Sequence, residues 1–81
     1  MTRKEAETMR AWLRELRNKK NLTMKDMGSK LGVSESYYCA IEAGTRQKKM
    51  DMSLAAGLAS ILDVSVYEIV RNEQELKLGD K

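Results

Sequence analysis

Residues 23–44 hold two short apolar stripes, each opened by a hydroxyl side chain and closed by a glycine, with only Gly32-Val33 between them. Thr23 precedes Met24, Met27 and Leu31, apolar at i, i+3 and i+7, which is one face of a helix. A threonine at that point is a good N-cap. Gly32 can take positive φ without a Cβ penalty and so closes the helix. Ser34 opens the second stripe, Tyr37, Tyr38 and Ile41 supply its large apolar groups, and Gly44 stops it. Such punctuation leaves few folds open. Two helices of two to three turns must cross at a tight reversal, with Val33 filling the angle between them. The second helix then has its outer face and N-terminus free, and a helix so presented fits the major groove of duplex DNA.

The remaining chain reads as three more helices and a tail. A helix over residues 3–18 is expected, with Thr2 and Glu5 as a capping box and Met9, Trp12, Leu13 and Leu16 facing the core. Residues 18–21 break the pattern. A fourth helix starts near Asp51 and ends near Leu62, with Met52, Ala55, Ala56, Ala59 and Leu62 along one face. Ser65 caps a short fifth helix ending near Arg71, with Val66, Ile69 and Val70 inward. Residues 72–81 are polar and expected to fray. The expected domain is therefore all-α and compact, five helices over residues 1–71, with the two-helix unit at about 23–42.

Composition narrows the function. At 81 residues, 42% hydrophobic and 33% charged, the chain suits one globular domain with one modest core. It has no proline, no histidine and no phenylalanine, which favours helices over a sheet. With a single cysteine, no histidine and no carboxylate cluster, no metal set or catalytic triad can be assembled. No nucleotide-binding glycine pattern is present. Neither enzyme activity nor a cofactor is expected. No apolar run approaches the roughly 20 residues of a membrane span, no signal peptide is read at the N-terminus, and one cysteine fits a reducing cytoplasm.

Charge is unevenly placed. Residues 1–50 carry 12 Lys/Arg against 6 Asp/Glu, whereas residues 51–81 carry 3 against 6. A basic first part suits a polyanion partner.

The series Leu16-Arg17, Leu22-Thr23, Leu31-Gly32-Val33-Ser34, Tyr38, Ile41-Glu42-Ala43-Gly44 and Leu62-Asp63-Val64-Ser65 resembles the lambda-repressor-like, Xre-type helix-turn-helix family over residues 10–71. The resemblance implies a five-helix domain that binds operator DNA as a dimer and is common in phages and mobile elements. It implies that Arg17 and Glu42 form a structural pair between the first helix and the end of the recognition helix. It implies that the helix amides at Thr23 face a DNA phosphate. Two positions depart from the pattern: Met24 stands where the family usually has a phosphate-binding glutamine, and Gly28 where it usually has alanine.

The same resemblance implies that the base-contact positions are Glu35, Ser36 and Ala40, with Tyr37 and Cys39 next to them. No arginine, asparagine or glutamine is among them, so the bidentate readers of guanine and adenine are missing. Glu35 can accept from a cytosine amino group, and Ser36 can bond several base edges. Ala40 offers only apolar contact, and specificity is expected to lean on DNA shape and on the basic loop. Tyr38 reads as core, Tyr37 as a DNA contact, and Cys39 as a passive small side chain. Phosphate contacts are expected from Thr23, Lys25 and the basic loop bearing Arg46, Lys48 and Lys49. Leu54, Tyr67 and Val70 are expected to be exposed and to form the dimer surface. The expected function is a repressor that binds a pseudo-palindromic operator as a homodimer. Since no ligand-sensing domain fits the remaining residues, control is expected from concentration, competition or a regulatory protein partner. The alternative is a protein-interaction module on the same fold, an antirepressor or accessory subunit with weak base reading.

Overall fold

The computed structural model describes residues 9–78. The described residues form five α-helices: α1 Ala11–Lys19, α2 Met24–Leu31, α3 Glu35–Ala43, α4 Met52–Leu62 and α5 Val66–Leu78. The residue 3–8 part of the expected first helix, and its Thr2–Glu5 cap, lie outside the described residues.

Local chemistry sets the ends of the inner helices. The Thr23 hydroxyl accepts from the Asp26 amide at 3.0 Å while Asp26 Oδ2 accepts from the Thr23 amide at 2.9 Å, a reciprocal capping box. Ser34 Oγ accepts from the Tyr37 amide at 3.0 Å, and Asp51 Oδ1 from the Leu54 amide at 2.7 Å. Ser65 Oγ does the same for Glu68 at 3.0 Å. Gly32 and Gly44 end α2 and α3 at φ 78° and 83°, the left-handed region that glycine enters at no steric cost.

The core consists of Leu13, Met27, Tyr38, Ile41, Ala55, Leu58, Ala59, Leu62 and Ile69. Trp12, Leu16, Leu22, Met24, Leu31 and Val33 pack against it, half-buried. Helix α2 packs most extensively on α3, and α4 on α5. The chain turns through 114° between α4 and α5. Among the described residues, no single helix is long and apolar enough to cross a membrane.

Three expectations are corrected. Met52 is 80% exposed and Ala56 is exposed, while Leu58 is fully buried. Met52 keeps the helical phase of Ala55 and Ala59, but it occupies the first turn of α4, beyond the neighbours that would cover it. Val66 and Val70 are 39% and 41% exposed; only Ile69 of the α5 trio enters the core. Finally, α5 runs past Arg71 to Leu78. The turn after Ile69 is anchored by Glu73, which is 8% exposed and paired with Arg10.

Candidate nucleic-acid interface

The reversal that presents α3 depends on a close approach. Gly28 is buried in α2, and its carbonyl accepts from the Val33 amide at 2.9 Å. A Cβ there would lie 2.9 Å from the Val33 carbonyl oxygen and 3.1 Å from that of Ser34. The glycine that departs from the usual alanine therefore lets α2 sit directly on the turn backbone.

Helix α3 is clamped from behind by a buried ionic cluster. Arg17 Nε donates to Glu42 Oε2 at 2.6 Å, and Nη2 reaches Oε1 at 3.5 Å. Arg17 Nη1 also donates to the Leu22 carbonyl at 2.9 Å, so the same guanidinium ties in the α1–α2 loop. Tyr38, one turn before Glu42, donates its hydroxyl to Glu42 Oε2 at 2.8 Å. The bond to Glu42 holds the Arg17 guanidinium above its usual range, against the opposing effect of burial. Burial, with the Glu42 charge beside it, pushes the Tyr38 phenol up. Both groups thus keep the protonated form that donates to Glu42.

On the outer side, Glu35, Ser36 and Cys39 are exposed. Ala40 and Tyr37 are half-buried. The Tyr37 ring packs against the core, and its hydroxyl accepts from Gln47 Nε2 at 3.4 Å. The Ala40 carbonyl accepts from the Thr45 and Arg46 amides at 3.0 and 3.2 Å. The loop after α3 is thereby folded back onto the helix. Arg46, Lys48 and Lys49 on that loop are all exposed.

The start of α2 differs from what a phosphate site wants. Lys25 is exposed, but the Thr23 and Asp26 amides are already used by the capping box. That box also places the Asp26 carboxylate at the positive end of the helix, where a phosphate would sit. The Thr23 backbone bond, followed by the side-chain bond, holds the Asp26 carboxyl below its usual range, so it is ionised. The amides of Met24 and Lys25 are the donors left to a phosphate.

Of the expected dimer residues, Tyr67 is 73% exposed and Val70 41%. Leu54, expected to be exposed, is half-buried against the core, because it lies one turn before the fully buried Leu58 on the same face of α4. Sequence reasoning missed Arg10. Arg10 is 2% exposed. Its spacing of seven from Arg17, on the Leu13 face, was the available signal.

A helix-turn-helix family profile matches residues 13–69. The chain is 33% identical over 66 residues to YqaE of Bacillus subtilis (strain 168), described as an uncharacterized HTH-type transcriptional regulator. The match covers 82% of this chain and 55% of YqaE, so the chain spans about half the length of that relative. No solved structure matches the chain.

Proposed function

The chain belongs to the Xre-type, lambda-repressor-like helix-turn-helix family, and from that premise we propose that it is a sequence-specific DNA-binding transcriptional regulator. In this reading it is a repressor of phage or mobile-element type, bound as a homodimer to a pseudo-palindromic operator. One observation carries the reading: a doubly capped helix with an exposed outer face runs directly into a loop with three exposed cations. The helix is narrow enough for the major groove, and the loop is placed to meet the flanking backbone. Glu35, Ser36, Tyr37 and Ala40 face the bases, while Lys25, Arg46, Lys48 and Lys49 take phosphates, with the Thr23 end of α2 a weaker contributor. A domain of this size makes few base contacts, and two-fold pairing doubles them. Tyr67 and Val70 supply exposed apolar surface for pairing; Val66 and Met52 are exposed as well, and Leu54 is half-buried. Repression is then steric, by occupation of a promoter, and a regulatory protein partner sets when the site is vacated.

The test is Arg46→Ala combined with Lys48→Ala, titrated against duplex DNA over a range of salt. Affinity falls uniformly across sequences, and the salt slope becomes shallower by about one per lost phosphate contact. An unchanged slope removes the loop from the interface. A second reading, a protein-interaction module, draws support from the Asp26 carboxylate at the α2 N-terminus and from Met24, which cannot bond a phosphate as glutamine does. It prevails if the unaltered chain shows no affinity for duplex DNA even at low salt, where phosphate contacts are strongest.

A further inference from the structure

A second buried arginine lies seven residues before Arg17, and the interface described above leaves it without a role. Arg10 sits at the N-terminal boundary of α1 and points inward. A guanidinium has five N–H donors, and five contacts engage them. Nε and Nη2 grip the two oxygens of the Glu73 carboxylate at 2.9 and 2.8 Å. Nη1 donates to the carbonyls of Ile41 at 2.6 Å and Arg46 at 3.3 Å. Nη2 also donates to the carbonyl of Gln47. The Arg10 amide adds a bond to the Glu42 carbonyl at 2.8 Å.

One residue thus joins α5, the last turn of α3 and the backbone of the basic loop. Each attachment has a physical reason. The last carbonyls of a helix lack intrahelical partners and carry the negative end of its dipole, so a cation there is favourable. Gln47 stands at φ 54°, a conformation that a non-glycine residue keeps only when its surroundings hold it. Its side chain is also held: Nε2 donates to the Tyr37 hydroxyl, and Oε1 accepts from the Asp51 amide at 3.2 Å. The bidentate carboxylate lets the charge stay buried, since an unpaired guanidinium at this depth is strongly disfavoured. A cleft of about 270 Å³ lies alongside, with Lys49 and Met50 on one wall and Val70, Glu73 and Gln74 on another. The end of the basic loop and α5 therefore face each other directly.

Resting on the reading of Arg46, Lys48 and Lys49 as phosphate contacts, we propose that Arg10 and Glu73 are positioning residues for DNA binding. Together they fix the backbone of residues 45–49, and with it the aim of three cations, and they make that aim depend on where α5 sits. A loop held in place before DNA arrives loses less conformational freedom on binding. Because Arg10 grips carbonyl oxygens, the pose it imposes does not depend on which side chains the loop carries. Ile69 and Glu73, one turn apart on the inner side of α5, face the domain, while Tyr67 and Val70 on the same helix are exposed. A partner docked on the outer side can therefore bias the loop through Glu73.

The test uses the full chain with Arg10→Met and Glu73→Leu together, which removes both charges and leaves no buried ion unpaired. Glu73→Gln, which keeps the shape and one acceptor oxygen, is the second variant. Hydrogen exchange of residues 45–51 and the salt slope of binding to a random-sequence duplex are the readouts. The double variant should keep helical circular dichroism and a cooperative melt, whereas Glu73→Gln, which leaves Arg10 facing a neutral amide, should stay helical at room temperature with reduced stability. In the double variant the loop amides exchange at least about tenfold faster, and the salt slope shallows by about one to two. Lys48→Ala also costs less affinity in that background than in the unaltered chain, a coupling that a purely structural role would not produce. Unchanged loop exchange, faster exchange with an unchanged slope, or collapse of both variants at room temperature overturns the proposal. If the unaltered chain binds no duplex at low salt, the DNA reading itself fails, and loop exchange still reports separately whether the clamp holds the loop.

Discussion

Replacing Gly28 by alanine should destabilise this protein, against the ordinary rule for a glycine inside a helix. Alanine is favoured over glycine by about 1 kcal/mol in a helix interior, so the local expectation is a gain. Tertiary contact reverses it. The new methyl would stand 2.9 Å from the Val33 carbonyl oxygen, 3.1 Å from that of Ser34 and 3.2 Å from the Ser34 carbonyl carbon. Those atoms belong to the turn backbone, whose Val33 amide is bonded to the Gly28 carbonyl itself, so the turn cannot recede without straining that bond. Overpacking of this kind costs about 1–3 kcal/mol. Subtracting the propensity gain leaves a net loss of about 1 kcal/mol, or a fall in Tm of about 4–8 °C for a domain of this size. Gly57→Ala is the internal control. Its Cβ would meet only the Leu31 Cδ2 methyl, at 3.1 Å, which can rotate away, so that variant should gain up to about 1 kcal/mol. Thermal and urea melts followed by circular dichroism measure both. If Gly28→Ala matches or exceeds the unaltered chain in stability, the close approach of α2 to the turn is not what holds α3 in place.

Glu42→Gln leaves Arg17 and Tyr38 facing a neutral amide and should cost about 3–5 kcal/mol in urea denaturation, whereas Tyr38→Phe, which removes one bond to the carboxylate, should cost about 1–2 kcal/mol. Asp26 has a carboxyl pKa lowered in the folded state from its ordinary 3.8, so its stabilisation is present above that value and disappears as pH falls through the lower folded one. Urea midpoints between about pH 5 and 2 should accordingly decline more steeply for the unaltered chain than for Asp26→Asn, and a parallel decline would refute the assignment. The same substitution removes a negative charge from the N-terminal end of α2 and, on the proposed reading, should raise DNA affinity at low salt. Tyr67→Glu should shift sedimentation equilibrium toward monomer while changing intrinsic stability by no more than about 0.5 kcal/mol; an unaltered association constant would exclude Tyr67 from the pairing surface.

The two-helix unit was legible in the sequence because its determinants are local. Thr23, Gly32, Ser34 and Gly44 each act on backbone within four residues, and the structure finds each at the helix end expected of it. The Ser65 cap was legible for the same reason, as was the start of α4 near Asp51. What escaped was set by distant partners. Arg10 and Glu73 are 63 positions apart, and no local rule distinguishes a buried arginine from a solvated one before its acceptors are known. The same pairing stabilises the turn of α5 that the polar composition of residues 72–81 had suggested would fray. Met52 and Val70 show the complementary limit: periodicity gives the phase of a helix, but not where the neighbouring helices stop. In the site, the cations were visible as cations, whereas the occupation of the α2 N-terminus by Asp26 required knowing that Thr23 and Asp26 cap each other.

The inward side of α3 is fully committed: Tyr38 and Ile41 fill the core, and Glu42 holds Arg17. Glu35, Ser36 and Cys39 have no part in that work. The nine-residue helix is therefore two alphabets written on one rod, one spelling the fold and one facing outward. Substitution of the outward letters leaves the contacts that hold the fold untouched, so the outer face of α3 can change its chemistry while the inner face keeps the same packing.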